Sequence, residues 1–223
     1  MSVAALRATM DGNTLAETVR ENRATELDRL GSEKALVAST AARLDRASVL
    51  AATLDAERRA AATFEAWAAD EGDDAARAAF ERVASRERDH AERVRGLLDD
   101  ADGEPDADPE PDPLHAHLRD LDSTAERVAA GLVARPLVSE RSLLQVVNFF
   151  VNEADERAAD TVRDLRSETR DLVDDGAALL DTCCADDDDW DRAREAADRT
   201  VAVAYAEYED RLTEMGVDPK PVC

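Results

Sequence analysis

Three ionisable residues stand where packed helices would carry apolar ones. In the stretch 47–70, steps of three and four trace one face as Leu50, Leu54, Glu57, Ala61, Phe64 and then Trp67 or Ala68. The carboxylate of Glu57 falls in the middle of that face. In 74–98 the same steps give Ala76, Phe80, Val83, Glu87, His90, Val94 and Leu97. Glu87 and His90 are three apart, so they project from one side of their helix. Gly72 lies 15 residues after Glu57, 15 before Glu87 and 18 before His90. A hairpin turned at Gly72 brings the three to one height on facing helices, given a rise of about 1.5 Å per residue.

Two carboxylates and an imidazole in an apolar shell are costly unless something neutralises them. A divalent cation does so, because it keeps carboxylates ionised and the imidazole neutral. This donor set suits iron or manganese, with zinc also able to take it. The competing reading is that arginines pair with the two glutamates. Arg58, Arg59, Arg86 and Arg88 are near in sequence but lie off the two stripes.

The elements that must hold these residues are helical. Ala and Leu dominate, aromatic residues are 4%, and 8 Gly and 7 Pro are spread over 223 residues, a helix-forming composition. Asp11 or Asn13 is placed to cap a helix running to about Leu30, and Gly31-Ser32 to break it before a short helix ending near Leu44. Asp45 or Ser48 caps the next, which reaches Ala69. After the turn at 70–73 a helix runs from Asp74 to Leu98. Residues 100–113 are acidic and proline-rich, and they divide an N-terminal segment, 1–99, from a second helical half, 114–223. That half opens with Leu114, Leu118, Leu121, Ala125, Val128 and Leu132 on one face and is expected to stop at Pro136. A buried helix over 139–151 follows, then one from Asp155 to Leu180. The last, 190–215, has Ala197, Val201, Ala204, Tyr208, Leu212 and Met215 on one side. No stretch alternates as a strand does. The expected fold is all-α, a helical bundle with additional N-terminal helices.

Charge narrows the function classes. Asp and Glu number 52 against 28 Lys and Arg, a net charge of -24, and Lys34 and Lys220 are the only lysines. Such a surface suits concentrated salt, which screens its self-repulsion, and points to a halophile. It gives nucleic acid and anionic lipid no basic patch to bind. No apolar run is long enough to span a membrane, and the N-terminus lacks the pattern of a secretory signal. Cys183, Cys184 and Cys223 make no disulfide framework. A cytoplasmic protein is expected.

Residues 56–94 resemble the first helical hairpin of rubrerythrins. That hairpin has a Glu, an aromatic seven residues later, a Glu- and Gly-containing turn, and an Ala-x-x-Phe-x-x-x-Ala run into Glu-x-x-His-Ala-Glu. Here these are Glu57, Phe64, the turn at Asp70–Gly72, Phe80, Ala84 and Glu87-x-x-His90-Ala91-Glu92. The resemblance implies a ferritin-like bundle holding iron, as a di-iron pair in the family, and an oxidoreductase acting on peroxide or oxygen. The sequence departs from the family in two ways. It has no Cys-x-x-Cys for a rubredoxin-like iron, so electrons would come from a separate donor. Its second half also has no Glu-x-x-His: shifting the first hairpin by 82 places Thr169 under Glu87 and Leu172 under His90.

Carboxylates that could complete the site are Glu26, Glu140, Glu168 and Asp198, with Glu140 the best placed on the face of Leu143, Leu144 and Val147. A second subunit across a two-fold axis, forming a homodimer, is another source. A bundle that has lost its metal and serves as a structural or partner-binding protein is the alternative function. His115 and His117, two apart, read as surface residues facing different sides. Cys183 and Cys184 read as small apolar side chains. Tyr208 reads as core packing or as a donor near the metal.

Overall fold

The computed structural model describes residues 10–98 and 110–220. Most of the expected linker and Cys223 lie outside the described residues. Among the described residues every regular element is helical, so the chain is an all-α bundle. Its first helices are α1 (Gly12–Asn22), α2 (Ala24–Leu30) and α3 (Glu33–Ser39). Two long ones follow, α4 (Arg46–Asp70) and α5 (Asp74–Arg95). The second half contains α6 (Pro113–Arg119), α7 (Thr124–Val128), a π-helical turn (Ala129–Ala134), α8 (Arg135–Asn152), α9 (Glu156–Cys183) and α10 (Asp187–Glu214).

Six of the 52 acidic residues have a local structural use as helix caps. The side chains of Asp11, Asp45, Asp73, Asp112, Asp155 and Asp186 each accept from a backbone N–H in the first turn of the helix that follows. Each satisfies an otherwise orphaned donor and places negative charge at the positive end of a helix dipole.

Four boundaries differ from those the sequence predicts, one being the expected helix from Leu114, which stops at Arg119 and restarts at Thr124 behind a capping box of Ser123 and Glu126. The first helix is broken at Arg23, whose guanidinium reaches Asp198 on α10 at 3.2 Å. The third stops at Ser39 rather than Leu44, because Ala41 and Ala42 take left-handed backbone conformations and the Ala42 N–H returns to the Val37 carbonyl, an end that closes the last carbonyls of a helix. Most consequential is Pro136, which does not end its helix. The chain is helical from Thr124 to Asn152 apart from the change of pitch at 129–134. In the wider π turn the Arg135 N–H bonds the Ala130 carbonyl five residues back. Pro136, at the start of α8, then needs no N–H.

The α4–α5 and α8–α9 hairpins pack together through two apolar clusters. One contains Leu50, Leu54, Val94, Leu143, Phe150 and Leu165. The other contains Phe64, Trp67, Phe80, Leu132, Leu172 and the buried face of α10. Along each of the four helices the first cluster gives way to the second between about residues 54 and 64, 84 and 91, 138 and 143, and 165 and 172. The ionisable layer lies in that gap. At the far end, buried Glu71 of the α4–α5 turn accepts from Thr124 Oγ1 at 2.8 Å and pairs with Arg127 at 3.5 Å, tying the turn to α7.

The π turn is held by close contact as well as pitch. A Cβ built on Gly131 would fall 2.5 Å from Trp67 Cζ3 and 3.1 Å from Phe64 Cε1. Gly131→Ala is expected to lower unfolding free energy by about 1–3 kcal/mol through overpacking. Gly72, where a Cβ would meet nothing within 4 Å, tolerates Ala within about 0.5 kcal/mol. Denaturant midpoints of the two variants in molar salt check the contrast.

Candidate metal centre

Glu57, Glu87 and His90 come together as their stripes predict. All three are buried, His90 completely. One ligand atom of each lies within 4.8 Å of the other two. His90 Nδ1 is 3.4 Å from Glu57 Oε2 and 3.7 Å from Glu87 Oε2. Two atoms bound to one ion at about 2.1 Å are separated by roughly 3–4 Å, so these spacings fit a shared cation.

The far side of the His90 ring is fixed by Glu168. Its Nε2–H donates to Glu168 Oε2 at 2.9 Å, and Arg93 holds the other oxygen at 2.9 Å. A neutral ring with its proton on Nε2 directs the Nδ1 lone pair at two carboxylates. Among the described residues nothing hydrogen-bonds Nδ1 or Glu87 Oε2, both of which are buried. A cation, or a second proton on the ring, is what this geometry lacks. The residues therefore fit a divalent ion, with a carboxylate behind the histidine to set its tautomer.

Arg135 is the residue the stripe argument misses. Its Nη2 donates to Glu87 Oε1, and its guanidinium lies over the Phe64 ring at 5.2 Å. Arg135 is 4% exposed, so this is a buried ion pair. The arginines adjacent in sequence do point elsewhere: Arg59 to the Glu110 carbonyl, Arg86 to the Glu168 carbonyl and Arg88 to Glu65. Neutralisation of Glu87 arrives from the other half of the bundle. The signal in the sequence is that Arg135 is the only charged residue between Val128 and Val138.

Electrostatics follow from these contacts. Burial and the neighbouring Glu87 charge raise the Glu57 pKa from 4.5 to about 7. Burial works against ionisation of Glu87 too, but Arg135, His90 and a hydrogen bond with Glu57 together outweigh it and hold that pKa below its ordinary value. Burial disfavours the His90 imidazolium, yet the facing Glu57 and Glu87 raise its pKa from 6.5 to about 10. Without a metal, the ring's second proton supplies the missing positive charge.

The other candidates are distributed as follows. Glu168 reaches the cluster; Glu140, the favoured candidate in the sequence, pairs instead with Arg166 at 2.7 Å. Glu26 and Asp198 both pair with Arg23. Thr169 and Leu172 are buried without ligating groups at the positions matching Glu87 and His90. His115 is not a surface residue: it is 4% exposed and held by Asp112, because α6 packs along α4. His117 faces the other way, onto Thr200 at 3.2 Å. Tyr208 belongs to the core and donates to the Pro219 carbonyl. Burial raises the thiol pKa values of Cys183 and Cys184 to about 11 and 12, which favours the protonated thiol at neutral pH. Among the described residues no helix is long and apolar enough to cross a membrane. Comparison of the chain with protein-family models, curated proteins and solved structures finds no match.

Two outcomes follow for metal-free protein. His90 contributes stability that is complete below its ordinary pKa of 6.5 and is lost as pH rises through about 10. Glu57, also raised, acts in the same direction, its contribution full below 4.5 and lost through about 7. Denaturant unfolding in molar salt is expected to show wild type weakening from about pH 6 to about pH 10, and His90→Gln weakening less; parallel profiles would refute it. Separately, Arg135→Met strands the Glu87 carboxylate and is expected to cost about 3–5 kcal/mol, most of it recovered by adding Glu87→Gln. A double-mutant cycle measures this.

Proposed function

We propose that the protein is a metal-binding helical bundle in which Glu57, Glu87 and His90 hold one divalent cation, with iron first and manganese or zinc as alternatives. The observation that carries this reading is the His90 ring: Nε2–H is committed to Glu168, while Nδ1 faces two carboxylates with no partner. Two carboxylates and an imidazole nitrogen are ligands shared by those metals. The resemblance of residues 56–94 to the rubrerythrin hairpin supports iron and supports an oxidoreductase that uses peroxide or oxygen with a separate electron donor. In that role the ion supplies the redox chemistry.

The protein side chains do the remaining work. Glu57 and Glu87 offset the ion's charge. Glu168 keeps the His90 proton on Nε2, so that Nδ1 is free to bind, and Arg93 keeps Glu168 in place. Arg135 sets the number of ions. It occupies one oxygen of Glu87 with a fixed positive charge, so Glu87 has a single oxygen left to give. A second cation beside the guanidinium would add repulsion at a buried site, and the described residues contain one group of ligands, not two. This favours one ion over the pair found in the family.

The second reading is a structural bundle without metal, in which the protonated His90 and Arg135 neutralise the glutamates. The Arg135–Glu87 pair favours it.

Elemental analysis separates the readings. Metal-free protein is loaded in molar salt with Fe(II) under anaerobic conditions, or with Mn(II) or Zn(II), and freed of excess. About one ion per chain is expected, lost in Glu87→Ala and in His90→Ala and kept in Glu140→Ala. Two ions per chain would reject the role given to Arg135. No bound ion would reject the metal site and leave the structural bundle.

A further inference from the structure

The three side chains of the ionisable cluster are not equally enclosed. That of His90 is 0% exposed and that of Glu87 1%. His90 Nδ1 and Glu87 Oε2 are both sealed from solvent. The side chain of Glu57 keeps 8%. Glu168 lies beyond Nε2, on the far side of the His90 ring from Nδ1, so the ring itself closes that approach. A molecule that reaches the centre from outside therefore passes Glu57.

Glu57 lines a cavity of about 180 Å³ between α3, α4, α6 and α8. Ala52, Ser139 and Ser142 line it too and are partly exposed, so it runs inward to Glu57 from the surface between α4 and α8. Ala52 and Glu57 are five residues apart on α4, which sets the mouth about 7.5 Å along the helix from the carboxylate. The walls are largely apolar, with Val49, Leu143 and Val146 buried along them. Arg135 also lines the cavity, but its charge is committed to Glu87.

We propose that this cavity is the way in to the cation for a small uncharged molecule, with Ala52 on α4 and Ser142 on α8 setting what passes. The inference rests on Glu57, Glu87 and His90 being a metal site. Room is ample for two or three heavy atoms, since an apolar protein cavity of about 150 Å³ holds benzene. An ion would leave water for an apolar passage with no free charge to receive it. An anion would in addition meet the Glu57 carboxylate.

Nitric oxide and azide are suitable probes, one uncharged and one anionic. The full chain is loaded with Fe(II) anaerobically in molar salt, and its iron is counted by elemental analysis. Nitric oxide is then mixed in, and absorbance and electron paramagnetic resonance follow the iron. A saturable iron signal is expected, and excess azide is expected to leave its rate unchanged. Ala52→Phe, and from the α8 wall Ser142→Phe, are expected to keep the iron and the circular dichroism spectrum while slowing the signal by at least about tenfold, because the passage must then open before the probe can enter. Ala62→Phe fills the groove on the outer side of α4 and α5, where Ala62 is partly exposed, and is expected to leave the rate unchanged. Four results would overturn the route: no nitric oxide signal from iron-loaded protein, a wild-type rate in folded, iron-loaded Ala52→Phe and Ser142→Phe, slowing by Ala62→Phe instead, or azide that blocks nitric oxide. Protein that takes up no iron would overturn the metal site and the route with it, whereas each of the four falls on the route alone.

Discussion

The interior of this bundle is organised by the need to neutralise two facing carboxylates. Glu57 and Glu87 sit on the seam of the α4–α5 hairpin, where a pair of ordinary glutamates would push the helices apart or draw in water. Every contact around them supplies positive charge or fixes its position. Arg135 crosses from the second half to one oxygen of Glu87. His90 faces both carboxylates, and Glu168 and Arg93 hold it from behind. The apolar clusters above and below insulate the layer, which makes each of these interactions stronger than it would be in water.

The histidine ring divides that layer into two environments. Its Nδ1 edge looks onto the carboxylate oxygens of Glu57 and Glu87. Its Nε2 edge meets Glu168, 40% of whose side chain is exposed, so that edge is in contact with the solvent side of the bundle. The ring is thus the point where the buried carboxylates meet a half-exposed ion pair, and Glu168 sets which nitrogen faces inward.

Legibility in the sequence followed the range of the interactions. The long helices and the positions of Glu57, Glu87 and His90 were readable because they depend on periodicity within one hairpin. The caps at Asp11 and Asp45 were readable, each beside one alternative, because the signal lies within three residues of the bond. Arg135 was not, since an arginine followed by proline looks like a helix end until the π turn is seen. Glu140 looked better placed than Glu168 because its apolar neighbours were visible and its partner Arg166, 26 residues on, was not. His115 seemed a surface residue beside an acidic linker, and its burial depends on the packing of α6 along α4, which no local pattern encodes.

The π turn at 129–134 has a consequence for how such a chain can change by descent. A π turn holds one residue more than the α-helical turn it replaces, so losing a single codon there would restore regular pitch. The wider turn spends its extra residue on about the same rotation, so α8 would keep its facing and Arg135 would still point toward Glu87. A residue lost from the regular helix of α7 would instead turn all that follows by about 100° and carry the guanidinium out of the ionisable layer. The segment 129–134 is thus the place where this helix can lose a residue without moving the site.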